Sequence, residues 1–595
     1  HYTSERDILK LIGPLFLDGL HEEFAQIAAD RSARRKSRLE DFQAKLRGIK
    51  CLDPACGCGN FLVIAYRELR RLELEALKLL HDADVRQQLT ATEVQLLSKV
   101  DVDQFYGIEI EMWPSRIAET ALWLMDHQMN RELSEAFGQP YSRIPLKKSP
   151  HIRCDNALRM DWNDLLPANE CSYVLGNPPF IGHHNQTPEQ KLDQYDVLSN
   201  IKANGVLDYV CNWYVLAARY INESIRCAFV STNSISQGEQ VGILWSELYG
   251  RYKLKIHFAH RTFSWQSEAT GAAHVHVVII GFGKQNVDCK YIYEYEDIRG
   301  DPKAIQVHNI NAYLADAPDV CVINRSQSIC DVPQMKWGNK PTDGGHLIIE
   351  ATDYETFLAA NPEAKPYVKP LVCAHEFLHG EDRWCLWLKD APPQVIKNVP
   401  GLYERVEAVR EFRSKSKAAS TRAYATMPSV FRQIAQTARP YVLVPLHTSE
   451  TRTYIPFGFF EPDHIVHNSC SFIPDANQYH FGIISSAMHM VWVKYTCGRI
   501  KSDYRYTKDI VYNNYPWPVE ASEKQKEAIA EAAQGVLDAR KKYLDGGSTL
   551  ADLYDPLSMP ADLLKAHQAL DRAVDLAYGR RKFESERERV EFLFS

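Results

Sequence analysis

The chain has 595 residues, 45% hydrophobic and 24% charged, a globular balance that excludes a disordered or fibrous protein and predicts roughly two to four compact units. A net charge of −7 excludes a uniformly basic nucleic-acid coat but permits a local positive face. No apolar run reaches membrane-spanning length, and 14 cysteines scattered over so long a chain are not the disulfide framework of a small secreted domain, so a cytoplasmic protein with no membrane partner is expected.

The sequence begins at His1 without an initiator methionine or signal pattern, which reads as a fragment or processed chain. The first third alternates β-type runs with helix-period segments. A run at Lys50–Leu52 leads into Asp53-Pro54-Ala55-Cys56-Gly57-Cys58-Gly59-Asn60-Phe61 and a helix predicted over Asn60–Lys78. The glycines allow a sharp turn and close approach of a ligand, Asp53 can hold a charged or hydroxylated group, and the helix start offers free amides. Cys51, Cys56 and Cys58 are the only close cysteine set, and with no second ligand pair downstream no metal is expected. From Tyr66 to Val100 the chain is charged and Leu-rich without a strand signal, which predicts a helical insertion.

The next run, Phe105–Glu109, ends in a second acid, Glu109, placed to accept both ribose hydroxyls of a nucleoside at a strand end. A helix is predicted at Trp113–Asp126. Asp155, in Cys154-Asp155-Asn156, is placed to read an adenine amino group. The run Tyr173–Leu175 leads into Asn177-Pro178-Pro179-Phe180, where two prolines fix φ and remove amide donors. The carbonyl of Pro178 and the side chain of Asn177 can then address one spot. Further runs at Cys227–Val230 and Val275–Ile280 complete a strand–helix repetition that implies a largely parallel sheet.

From Gly344 the pattern changes to aromatic and β-branched runs (Arg383–Leu388, Tyr441–Leu446, Tyr454–Phe460) separated by Pro, Gly and Asn, read as a mixed α+β domain ending at Pro518. Helices are predicted at Glu520–Tyr543 and Pro560–Tyr578. The expected division is 1–343, 344–518 and 519–595. Basic stretches stand at Arg31–Lys50, Arg499–Lys508 and Arg580–Arg589. In the second, Arg499, Lys501, Arg505 and Lys508 lie among Tyr504, Tyr506 and Asn513, a mixture suited to DNA phosphates and base edges.

The order of the glycine turn, the strand-end acid and Asn177-Pro178-Pro179-Phe180 resembles class I adenine-N6 DNA methyltransferases of the gamma arrangement. Asn177–Gly182, Arg261–Phe282, Arg383–Leu388 and Gly498–Pro518 make the chain similar, more narrowly, to the MmeI-like (type IIL) restriction-modification and phage-defence enzymes. The resemblance implies a Rossmann-like α/β domain with a mostly parallel seven-stranded sheet, then a target-recognition domain and C-terminal helices. It implies S-adenosyl-L-methionine held by Thr3, Asp53, Ala55, Cys56, Gly57, Gly59, Asn60, Phe61, Glu109, Ile110, Asp155, Asn156, Asn177 and Pro179.

Asn177, Pro178, Pro179 and Phe180 are then the catalytic set, acting on an adenine flipped out of double-stranded DNA. Phe180 stacks on one face of the base, with Phe263, or failing that Trp265, on the other. Asp208, in Leu207-Asp208-Tyr209, matches a helix-start motif of the family. The step from Asp53 to Glu109 is longer than the family's, so Glu109 serves only if the insertion loops out, with Glu111 as the substitute. No nuclease signature is present; in the family that domain is N-terminal, so a nuclease domain or another defence-system subunit is an expected partner. Alternatives are a methyltransferase of RNA or protein glutamine, which share the Asn-Pro-Pro-aromatic motif, and a non-catalytic, cofactor-sensing DNA-binding subunit.

Overall fold

Short apolar runs separated by turn residues and helices build one large sheet in the first half of the chain. The computed structural model describes residues 4–81, 89–139, 148–265, 275–500, 502–580 and 582–595. Its main sheet contains β1 (Cys51–Asp53), β2 (Phe105–Glu109), β3 (His151–Cys154), β4 (Tyr173–Gly176), β5 (Arg226–Thr232), β6 (Lys255–Trp265), β7 (Val275–Gly283), β8 (Lys290–Glu294) and β9 (Lys303–Val307). The strand order is β3-β2-β1-β4-β5-β7-β6-β8-β9. β1 through β5 pair in parallel, and β7 runs antiparallel between β5 and β6.

The sheet is mostly parallel, but among the described residues it has nine strands rather than seven. The additional hairpin, β8 parallel to β6 and β9 antiparallel to β8, covers an edge of β6 that would otherwise present unpaired backbone groups. β3 had no sequence signal because it is an exposed edge strand, His-Ile-Arg-Cys. β6 lacked one because register shifts at Ile256/Phe258 and His260/Phe263 break its alternation.

Helices α1 (Glu5–Ile12), α2 (Asp18–Ala29), α3 (Arg35–Gly48) and α4 (Asn60–Leu80) bury Leu11, Leu20, Leu39, Leu46, Leu62 and Leu69 in a common core with the sheet. Pro14, which has no amide to donate, sits in a π-helical turn, Gly13–Leu17, that joins α1 to α2. The predicted insertion is largely the continuation of α4, whose Tyr66, Leu69 and Leu72 are buried. A helix at Ala91–Leu97 follows. Buried Glu73 closes the excursion: its carboxylate accepts from Lys99 N–H (2.6 Å), Val100 N–H (3.2 Å) and Gln43 Nε2 (2.8 Å) just before β2 begins.

The chain divides into two compact units, His1–Ser236 with Gln240–Cys321, and Gln237–Glu239 with Val322–Ser595. The second begins before Gly344 because β10 (Lys336–Trp337) pairs with β18 (Cys470–Pro474). With β14 (Tyr441–Pro445) and β16 (Gly458–Phe460) these form a sheet of order β10-β18-β14-β16. A second sheet joins β11 (Ile348–Glu350), β13 (Arg383–Leu386), β12 (Val368–Val372) and β17 (Ile465–Val466). A small third one joins β15 (His447–Thr448), β20 (Asp503–Arg505) and β19 (Gly498–Ile500). The final helices, including Glu523–Leu544 and Ala561–Ala577, belong to the same unit. Tyr454 donates to Asp571 (2.7 Å) and Arg540 to the Phe457 carbonyl (2.8 Å). Among the described residues no helix is long and apolar enough to cross a membrane.

Candidate active site

β1 delivers Asp53 to the carboxyl end of the sheet, and the chain reverses over Pro54–Gly59 into α4. Gly59 caps α4 with φ +82°, and a Cβ there would come within 2.9 Å of the Ala118 Cβ, so glycine is required. The bond from Val63 N–H to the Gly59 carbonyl (2.9 Å) closes the first turn of α4. The amides of Asn60, Phe61 and Leu62 precede the first helical hydrogen bond. The turn is stitched to β2: Gly57 N–H donates to Glu109 Oε2 (2.9 Å), and Cys56 N–H to the Ile108 carbonyl (3.0 Å). Glu109 Oε1 accepts from Glu111 N–H (2.9 Å), so Glu111 joins through its amide while its side chain is exposed. Asp155 N–H donates to the Glu109 carbonyl (3.0 Å), which ties the end of β3 to the same row.

Asp53 is fully buried. Its Oδ1 accepts from Ala55 N–H (3.0 Å), whereas Oδ2 is buried with no hydrogen-bond partner. Burial pushes its pKa up to about 8; the Ala55 amide opposes the rise and the Glu109 charge adds to it. Gly176, the last residue of β4, lies against this carboxylate: a Cβ on it would stand 2.5 Å from Asp53 Oδ1.

Asn177 follows immediately. It is half-buried, and its Oδ1 is buried and also without a partner. Pro178 is buried, Pro179 exposed, and Phe180 half-buried at the margin of the core. The loop is fastened by Asp208, whose Oδ1 accepts from Ile181 N–H (3.1 Å) and Val210 N–H (3.1 Å), while Tyr209 N–H donates to the Ile181 carbonyl (3.0 Å). Gln240 Oε1 holds the Asp208 amide (3.0 Å). Trp213 Nε1 donates to the Pro54 carbonyl (3.0 Å), linking the Asp208 helix start to the glycine turn. Burial raises the Asp208 pKa against these amide donors.

Asp155, Glu109, Asp53 and Asn177 therefore follow adjacent strands β3, β2, β1 and β4 along one sheet edge. Two unsatisfied acceptors, an acid and an amide, stand on either side of Gly176. Such a pair can hold a cationic group beside a planar group that bears N–H donors.

Other predicted residues divide clearly. Thr3 and Lys501 lie outside the described residues. Ile110 is 63% exposed beside Glu109, and Asp155 is half-exposed, paired with Arg153 (3.1 Å). Asn156 is occupied as a turn former, donating to Asp193 (3.0 Å) and accepting from Leu158 N–H (2.9 Å). The side chains of Cys56 and Phe61 are buried in the core, so only their backbone is available to a ligand.

Phe263 is a correction. Its ring is fully buried, stacked on Tyr295 at 5.0 Å with Lys10 Nζ 4.3 Å from its centroid, and offers no face to a base; Trp265 is 8% exposed. Phe263→Leu should cost about 1 kcal/mol in chemical denaturation. An unchanged midpoint would take the ring out of the core.

Tyr504 is another correction. Strand alternation turns it inward, 4% exposed and beneath the Arg499 guanidinium at 4.3 Å, so it packs rather than reads. Tyr506 and Asn513 are buried too. Arg499 pairs with Glu450 (3.2 Å) and Lys508 with Asp509, while Arg505 is exposed. Gly176, Trp213 and Gln240 were missed. Gly176 had a signal, a glycine directly before Asn177; the other two depend on tertiary contacts.

The chain matches three domains of MmeI: the DNA-methyltransferase domain over residues 29–294, the target recognition domain over 316–519 and the C-terminal domain over 521–595. It is similar to the solved structure of the Type IIL restriction-modification enzyme MmeI in complex with DNA. The identity is 49% and the TM-score 0.88, covering 100% of this chain and 78% of that one. It is 40% identical to DNA methyltransferase A of Bacillus subtilis (strain 168) over 598 aligned residues, all of this chain, and spans 65% of that protein's length.

Proposed function

The chain belongs to the MmeI family of DNA methyltransferases, and from that premise we propose that it methylates N6 of adenine at specific sites in double-stranded DNA, using S-adenosyl-L-methionine. The observation that carries the proposal is the pair of buried, unpartnered acceptors, Asp53 Oδ2 and Asn177 Oδ1, on two adjacent strand ends. The residues present fit the cofactor: Asp53 suits its ammonium, Glu109 its ribose hydroxyls, Ile110 its adenine, and the glycine turn leaves room for it. When bound, it supplies an electrophilic methyl on a cationic sulfur.

The chain's own groups do the rest. Asn177 Oδ1 and the Pro178 carbonyl accept the two N–H bonds of the amino group of an extruded adenine. This keeps the nitrogen lone pair out of the ring and aims it at the methyl, a positioning and electrostatic contribution. Neither oxygen takes the proton, which leaves N6 for solvent after the N–C bond forms. Phe180 stacks on the base, worth roughly 1–3 kcal/mol. No residue has to form a covalent bond to the base. The MmeI complex supports DNA as the partner, with Arg499, Lys501, Arg505 and Lys508 as phosphate and base-edge contacts. The biological setting of this reading is the modification half of a restriction or phage-defence system.

The test is incubation with labelled S-adenosyl-L-methionine and duplex DNA, RNA or protein, followed by digestion of the product. N6-methyladenine from duplex DNA is the expected result. Label in RNA or in glutamine would replace the substrate, and no transfer with intact cofactor binding would leave a non-catalytic subunit.

The raised Asp53 pKa gives a second measurement. Below about 8 the free protein holds this carboxyl protonated, whereas a cationic ligand favours the carboxylate. Binding must then release a proton at neutral pH, and affinity should rise roughly tenfold per pH unit from 6 to 8. Calorimetry in buffers of different ionisation enthalpy reads the proton directly. Asp53→Asn should bind more weakly and lose the slope; an equally steep slope in that variant excludes Asp53 as its source.

A further inference from the structure

The recognition unit contains a basic island that the motifs above do not include. Between Phe412 and Ser449 there is no Asp or Glu, in a chain where acids outnumber bases 76 to 69. The stretch carries Arg413, Lys415, Lys417, Arg422, Arg432 and Arg439. Arg413 is different from the rest. It is fully buried and donates to five backbone carbonyls: Pro341 (2.9 Å), Thr342 (2.9 Å), Tyr424 (3.2 Å), Met427 (2.8 Å) and Val430 (2.8 Å). One buried cation thus fixes the path of two neighbouring segments.

The other cations form a connected surface on that scaffold. Lys340 lies opposite Gln433 in an antiparallel bridge, which brings it beside Arg432. Arg432 donates to Ser420 Oγ (2.9 Å), and Arg422 to the carbonyls of Ser416 and Lys417 (both 2.8 Å). Lys340, Lys417 and Arg422 are exposed and Arg432 is half-exposed. Among the described residues none of these four meets a carboxylate within ion-pair distance. Lys415 and Arg439, by contrast, are paired with Glu411 and Asp475 (both 2.5 Å). Four uncompensated cations on a pinned surface suit a regularly spaced polyanion.

We propose that this surface grips the phosphate backbone of DNA flanking the recognised bases. The inference rests on duplex DNA being the substrate. Its position argues for flanking contact. The island precedes β14, and the β15–β20–β19 sheet follows that strand. Lys340, Lys417, Arg422 and Arg432 stand on segments outside that small sheet, which carries Arg499 and Arg505, so the two sets of cations lie on different elements.

The test uses the full chain and the double variant Lys340→Gln with Lys417→Gln, two exposed side chains whose loss leaves the Arg413 clasp intact. Binding is measured against salt on a duplex with long flanks and on one trimmed on either side. The slope of log affinity against log salt should fall by about one to two, and affinity at physiological salt about tenfold. Trimming one flank should weaken the wild type more than the variant, which keeps Arg422 and Arg432, with kcat at saturating DNA and the methylated position unchanged. An unchanged slope in a variant that melts like the wild type overturns the proposal while leaving DNA as the substrate. Failure of the wild type to bind any duplex refutes the underlying reading instead.

Discussion

Asn177→Ala is expected to retain cofactor binding while kcat falls at least about 10²- to 10³-fold. Asn177 Oδ1 is already desolvated and has no protein partner, so it needs no reorganisation before it meets an N–H donor. The loop around it does not depend on that side chain: Asp208, Tyr209 and Gln186 hold the backbone of Ile181, and Pro178 and Pro179 fix their own φ. Alanine therefore removes an acceptor without freeing the loop. The measurement is single-turnover methylation beside calorimetric cofactor affinity. Wild-type turnover would remove the proposed chemistry, and a parallel loss of cofactor affinity would show that Asn177 supports the pocket rather than the base.

The two halves of this site were legible because each is local. A glycine turn before a helix and an Asn-Pro-Pro-aromatic turn after a strand carry their geometry within a few residues. What joins them was not legible. Trp213 reaches the Pro54 carbonyl across 159 residues, and Gln240 the Asp208 amide across 32; no spacing rule encodes such contacts. The same limit explains Phe263 and Tyr504, since an aromatic near a functional motif reads identically whether it faces a ligand or the core. The ninth strand was hidden because β9 offers only Ile305 and Val307 on its apolar face, of which Val307 alone is buried, an alternation too short to stand out. The acid-free stretch after Phe412 was readable as composition, but its cations are spaced too widely to stand out as a cluster. Only the Arg413 clasp gathers them.

Gly176→Ala should be nearly as damaging as Asn177→Ala, for a reason that lies in neither motif. The added Cβ would stand 2.5 Å from Asp53 Oδ1 and 3.1 Å from its Cγ. Asp53 cannot swing aside, because it is fully buried and Oδ1 is held by the Ala55 amide. Either the carboxylate or β4 has to shift, and overpacking of this kind costs roughly 1–3 kcal/mol. On the proposed roles of Asp53 toward the cofactor and Asn177 toward the base, one methyl group should lower cofactor affinity about ten- to a hundredfold and turnover as well. The cause can be isolated with a double-mutant cycle. In an Asp53→Ala background the steric clash has no partner and only the strain of the φ +157° backbone remains, so the same Gly176→Ala change should cost clearly less affinity than in the wild type. Independent, additive losses would mean that Gly176 acts through its backbone conformation, and that the acid and the amide are not coupled through this contact.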